Sequence, residues 1–176
     1  PLLRHVRPQH VAQRRVQQMR RRVVRTDPRA ARMIDLQRRL VANLHRALGQ
    51  TPQMHVQRAI EIPMGPEMVV VTDLDRGRLD HIERRFGDIA KHKGVKLITL
   101  APSQFESQDA MNAHIRELAH GGYDDVIVMA PVAKLVPQAL SFAADNAVVN
   151  VFAGVGIGSM ADIELRDLCR GIKIIG

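Results

Sequence analysis

From Gln53 onward the chain alternates short apolar runs with amphipathic stretches. The runs are Met68–Val71, Val95–Leu100, Val126–Ala130, Ala147–Phe152 and Ile172–Ile175, and their starts lie 27, 31, 21 and 25 residues apart. Between them, Leu79, Ile82, Phe86 and Ile89 step at three and four residues. Met111, Ile115 and Leu118 do the same, as do Val132, Leu135, Val136, Ala139 and Leu140. A further helix is expected over Met54–Glu61. Strands that are apolar throughout are buried on both faces. Alternating with helices, they predict βαβ units and a parallel sheet covered on both sides, with right-handed crossovers.

The punctuation agrees. Ala90-Lys91-His92-Lys93 ends a helix with basic residues that complement its dipole, and Gly94 follows as a left-handed cap. Gly121-Gly122 closes the next helix, and Asp124-Asp125 leads into the strand after it.

The first fifty residues read differently. Val11, Val16, Met19, Val23 and then Met33, Leu36, Leu40 and Leu44 recur at roughly helical spacing, which predicts helices over Gln9–Val24 and Arg29–Leu48, broken near Pro28. The chain carries a net charge of +8 over 176 residues, but unevenly. Residues 1–50 hold thirteen Arg, no Lys, two Asp and no Glu, a net +11, whereas residues 51–176 hold thirteen Lys and Arg against sixteen acids, a net −3. The expected division is therefore a basic helical or disordered segment, 1–50, and a mildly acidic α/β domain, 51–176.

Three readings of the basic segment stand open. It is an arm that binds nucleic acid through phosphates, a solvated charge run, or a GC-rich coding stretch read out of frame. For the last, Arg46-Ala-Leu-Gly-Gln50 can be encoded CGG GCG CTG GGC CAG, which from its third base reads Gly-Ala-Gly-Pro.

Composition narrows the chemistry. Aromatics are 3% of the chain, with no Trp, which argues against a base-stacking single-strand binder. The single cysteine, Cys169, excludes an internal disulfide and a cysteine-based zinc set. No run is long and apolar enough to span a bilayer and no apolar signal core opens the chain, so no membrane contact and a cytoplasmic location are expected. The eight histidines do not pair with Cys or Glu at ligand spacing, and there is no nucleophile elbow or P-loop lysine.

Ligands of open parallel sheets sit at the carboxyl ends of the strands. There Val69-Val-Val-Thr-Asp-Leu-Asp75 offers Asp73, whose carboxylate can accept both hydroxyls of an adenosine ribose and would repel a 2′-phosphate, favouring NAD over NADP. Arg78 could reach the same ribose or a phosphate. Equally, Asp73 could cap the following helix. The glycine fingerprint for a pyrophosphate is absent where it belongs: the turn before Met54–Glu61 is Leu48-Gly-Gln-Thr-Pro-Gln53, with one glycine. Gly154-Val-Gly-Ile-Gly158 spaces its third glycine one residue early and reads as a strand-end loop whose backbone approaches a ligand, or as a plain turn.

Taken in order, Met54-His-Val-Gln-Arg-Ala-Ile-Glu61, VVVTDLD from Val69, YDDVIVMAPVA from Tyr123, VVNVFAGV from Val148 and GIKIIG from Gly171 resemble the cofactor domain of medium-chain, zinc-dependent alcohol and polyol dehydrogenases, nearest the sorbose-1-phosphate reductase or sorbitol dehydrogenase kind. The resemblance covers residues 53–176. It implies a Rossmann-like sheet in the order 3-2-1-4-5-6, whose central first strand is missing or replaced here. The sheet would then be loose, or Val41–Leu44 would be pressed into the gap. The resemblance also implies that Asp73 and Arg78 meet the ribose, that Ala130, Pro131 and Val132 pass the cofactor, and that the backbone of Phe152, Ala153 and Gly154 meets the nicotinamide carboxamide. The family's phosphate loop is Gly-Ala-Gly-Pro-Met-Gly, the tetrapeptide hidden in the shifted frame; only Gly49 stands near its place.

The family's catalytic zinc sits in a separate domain, and no ligands for it are found in this chain. The expectation is a fragment carrying cofactor contacts of an NAD-dependent oxidoreductase, inactive alone, with a sugar or polyol substrate only in an intact parent. Self-association through the sheet edge is implied by the resemblance. The alternatives are a non-catalytic nucleic-acid-associated α/β protein using the basic arm, and another enzyme holding a ribose on a strand-end acid, such as a methyltransferase.

Overall fold

The slot left for a first strand is filled. In the computed structural model, which describes residues 39–43 and 51–176, strand β1 (Arg39–Asn43) lies between β2 (Met68–Thr72) and β4 (Tyr123–Val128), parallel to both. Val41 pairs with Val70 on one side and Val126 on the other. The six-stranded sheet has the order β3-β2-β1-β4-β5-β6 and every pairing is parallel, a Rossmann-like arrangement. The remaining strands are β3 (Lys96–Leu100), β5 (Ala143–Val151) and β6 (Lys173–Ile175).

This corrects the helix expected over Arg29–Leu48, because Arg39–Asn43 within it is strand. The physical reason is the empty ladder. Each buried N–H or C=O left unpaired on β2 and β4 would cost about 1–3 kcal/mol, and tertiary pairing of that size overrides a weak helical period. Of the segment expected in the gap, Val41–Asn43 are there, and the strand starts two residues earlier. The sheet therefore takes its centre from the N-terminal side of residue 50. The helix expected over Gln9–Val24 and the turn holding Gly49 lie outside the described residues.

The helices are α1 (Thr51–Glu61), α2 (Arg76–Lys93), α3 (Gln108–Leu118), α4 (Leu135–Phe142) and α5 (Leu165–Cys169). Side chains of β2 alternate across the sheet. Val69 and Val71 join Val56, Leu79, Ile82 and Phe86 under α1 and α2; Val70 joins Met111, Ile115, Leu135 and Leu140 under α3 and α4. In α2 the core face is Leu79, Ile82, Phe86 and Ala90, while Ile89 is 38% exposed, one position off the expected stripe. Asp75 caps the start of α2 by accepting from the Gly77 N–H at 2.9 Å, and Gly94 ends it at φ +73°, donating to the Ala90 and Lys91 carbonyls. Ser107 caps α3, accepting from Ala110 N–H at 3.1 Å.

Two strands differ from their apolar runs by more than one residue, whereas β2, β3 and β6 differ by one. β4 starts at Tyr123 and stops at Val128, leaving Met129 and Ala130 buried past the end of the ladder. β5 starts at Ala143, directly after α4, and bulges: Tyr123 faces Ala143, but Asp125 faces Val148. The bulge is held by close backbone approach. Gly122, at φ +93°, lies where an added Cβ would sit 2.7 Å from the Ala144 nitrogen, and Asn146, at φ +63°, donates its N–H to the Arg170 carbonyl. Val132, expected on a helix, lies in the turn before α4, donating its N–H to Ala130 O at 2.8 Å. Among the described residues no helix is long and apolar enough to cross a membrane.

Candidate functional site

β2 delivers Asp73 to the carboxyl edge of the sheet. Its side chain is 4% exposed. Oδ1 accepts the Asp75 N–H at 2.8 Å, and Oδ2 lies 3.7 Å from Arg78 Nη1. Arg78 also sits 3.5 Å from Asp75 Oδ2 through Nε. The pair singled out from sequence is thus brought together. Helix capping falls to Asp75, and Asp73 is left facing the strand ends. Arg76, two residues before Arg78 and the first residue of α2, is engaged elsewhere, with Asp80 at 2.7 Å and Glu83 at 3.1 Å.

A cavity of about 410 Å³ opens between this edge and helices α3 and α4. Asp73 and Leu74 line it from β2 and Pro102 lines it from the end of β3; Gln108, Asn112 and Gln138 face it from the helices. Pockets of a few hundred cubic ångströms, mainly apolar with a few polar groups, are the ordinary form of a small-molecule site.

The other strand-end residues lie apart from that cavity. Ala130 is buried, Pro131 exposed and Val132 half-buried in the turn after β4. Ala153 donates its N–H to Val128 O at 3.1 Å, so the segment of Phe152, Ala153 and Gly154 is tied to the end of β4. Phe152, 50% exposed, meets the His55 ring edge-on at 4.6 Å and shares a surface recess with Met54 and Arg58 of α1. Burial lowers the His55 pKa, and the Arg58 charge lowers it further. The turn between β1 and α1, where a pyrophosphate loop would run, lies outside the described residues.

Reasoning from sequence missed His55, Leu74 and the three amides. Leu74 and Pro102 were within reach, since each follows a strand end. Gln108 and Asn112 stand four apart beside Met111 and Ile115, a polar pair bordering a core stripe, which ordinarily reads as a solvated face. Among the described residues no three His, Cys, Asp or Glu side chains cluster to hold a metal, so these residues do not fit a zinc site. Cys169 is exposed.

No protein-family model matches the chain. It is 35% identical over 101 residues to mannitol-1-phosphate 5-dehydrogenase of Aliivibrio fischeri (strain ATCC 700601 / ES114), a match over 56% of this chain and 23% of that protein. Among solved structures, 2R,3R-butanediol dehydrogenase from Bacillus subtilis superposes with a TM-score of 0.57 at 16% identity, over 78% of this chain and 34% of that one. A protein named as a zinc-binding dehydrogenase, from Sinorhizobium meliloti 1021 and solved with NADP bound, gives 0.52 at 22% identity, over 80% and 37%. The chain thus spans about a quarter of the curated relative and about a third of these structures. The structural likeness establishes the fold.

Proposed function

We propose that this chain is the nicotinamide-dinucleotide-binding part of an oxidoreductase of the zinc-binding alcohol and polyol dehydrogenase kind, with NAD as its cofactor. The observation that carries the reading is the buried Asp73 carboxylate at the end of β2, with one oxygen held by its own turn and the other beside Arg78. A carboxylate so placed accepts the two hydroxyls of an adenosine ribose. It also sets a negative charge where a 2′-phosphate would fall, and Arg78, shared between Asp73 and Asp75, offsets only part of that charge.

The adjoining cavity takes the base. Ala130, Pro131 and Val132 flank the cofactor where it crosses the sheet, and the backbone of Phe152, Ala153 and Gly154 meets the carboxamide. Bound NAD would supply the hydride acceptor for oxidation of a secondary alcohol on a sugar or polyol to a ketone. The described residues bind and orient; none is assigned a step through zinc. The reading places the protein in the cytoplasm and includes self-association along the exposed edge strand β6, where Ile174 and Ile175 are 38% and 49% exposed.

Ligand-observed NMR on the full chain with NAD and with S-adenosylmethionine tests the reading. Saturation transfer to NAD alone is expected. Transfer to S-adenosylmethionine alone would move the Asp73 site to a methyltransferase-like role.

A further inference from the structure

The recess between α1 and Phe152, about 610 Å³, shares no described lining residue with the Asp73 cavity. Met54, Arg58 and Ile62 stand four residues apart, so they form one row along its wall. Ile62 continues that row past the end of α1, because its N–H reaches the Arg58 carbonyl at 3.0 Å. Met54, Ile62 and Phe152 are 63%, 43% and 50% exposed. Large apolar side chains grouped at a surface mark an interaction site, whereas scattered ones do not.

A cation stands in the middle of the row. Arg58 makes no side-chain hydrogen bond or ion pair with a described residue. Glu61, three residues on, is its natural partner on a helix, but both Glu61 oxygens accept from Gln57 Nε2 at 3.2 Å. His55, three residues before Arg58, meets Phe152 through its ring and likewise makes no side-chain hydrogen bond with a described residue. Arg58 is near enough for its charge to act on that imidazole. Two uncommitted donors therefore stand side by side over apolar walls. Arg supplies a fork that matches the two oxygens of a carboxylate, and the thioether and aromatic walls suit a flat apolar body.

We propose that this recess binds an aromatic carboxylate, with Arg58 on the carboxylate, His55 donating beside it, and the ring between Met54, Ile62 and Phe152. The site goes beyond the dinucleotide reading and does not depend on it. The competing explanation is that Arg58 is a solvated surface charge.

The test is proton NMR of the full chain with benzoate, acetate and benzyl alcohol, following the His55 imidazole signal, which is assigned by its loss in His55→Gln. Saturable shifts are expected with benzoate. Acetate, without the ring, and benzyl alcohol, without the charge, should each bind weaker by about tenfold or more. Bound benzoate should also raise the His55 midpoint, because an anion beside an imidazole favours its charged form. Arg58→Gln, at an exposed position, should weaken benzoate by about tenfold or more and abolish that rise. No saturable benzoate shift at tens of millimolar overturns the proposal, as does acetate binding as tightly or benzoate affinity retained in Arg58→Gln.

Discussion

Arg78 stands with Nη1 3.7 Å from Asp73 Oδ2, a half-exposed cation laid against a buried carboxylate. The separation exceeds a hydrogen bond, so the Asp73 oxygen keeps lone pairs for a ribose hydroxyl. Asp73→Asn should therefore weaken NAD binding by about ten- to a hundredfold, the loss of a hydrogen bond to a charged group. It should also narrow the gap to NADP, because the repelling charge is gone. Parallel titrations with the two dinucleotides check both effects.

The central strand gives a prediction about stability. Val41 pairs on both sides, with Val70 and Val126. Val41→Pro removes the N–H from the middle of the ladder and should cost about 3 kcal/mol, lowering the melting midpoint by roughly 6–12 °C for a chain of this size. A chain starting at Gln37 should melt cooperatively, whereas one starting at Thr51, without β1, should not. Differential scanning calorimetry distinguishes them.

The bulge in β5 depends on Gly122. Its positive φ and the 2.7 Å approach to the Ala144 nitrogen leave no space for a methyl group. Gly122→Ala should destabilise the fold by about 1–3 kcal/mol, while Gly87→Ala, where an added Cβ meets nothing within 4 Å, should not destabilise it. Urea unfolding of the two variants side by side makes the comparison.

His55 predicts a pH effect. Burial first, then Arg58, favours the neutral imidazole, so its midpoint lies below the ordinary value of about 6.5. The folded pKa is depressed, so the associated stability is present above about pH 6.5 and is lost as pH falls through the folded midpoint. Proton NMR of the imidazole should show a titration below that of a free histidine. Phe152→Ala, which opens the ring to water, should raise the midpoint.

Much of this fold is legible in the sequence, and the exceptions have physical causes. β2 is five consecutive buried residues, and a β-branched run of that kind has no other comfortable place than the middle of a parallel sheet. α2 is announced at both ends by Asp75 and Gly94. β1 is not legible because Arg-Leu-Val-Ala-Asn sits among arginines at helical spacing; only the vacancy between β2 and β4 makes it a strand. The start of β5 is hidden because Ala143-Ala-Asp-Asn146 carries no apolar run, and its pairing follows from backbone approach at Gly122. The meeting of Asp73 with Arg78 is legible because Asp73 stands just past the end of β2 and Arg78 lies in the first turn of the helix that follows. The amides could not, because the packing of α3 against α4, which brings Gln138 to Asn112, leaves no periodic mark.

The measurement that tests the central claim most directly is calorimetric titration of the full chain with NAD and with NADP. The account predicts saturable binding of NAD at one site and binding of NADP weaker by about tenfold or more. No saturable NAD binding at millimolar concentration, or NADP binding at least as tight, would contradict it.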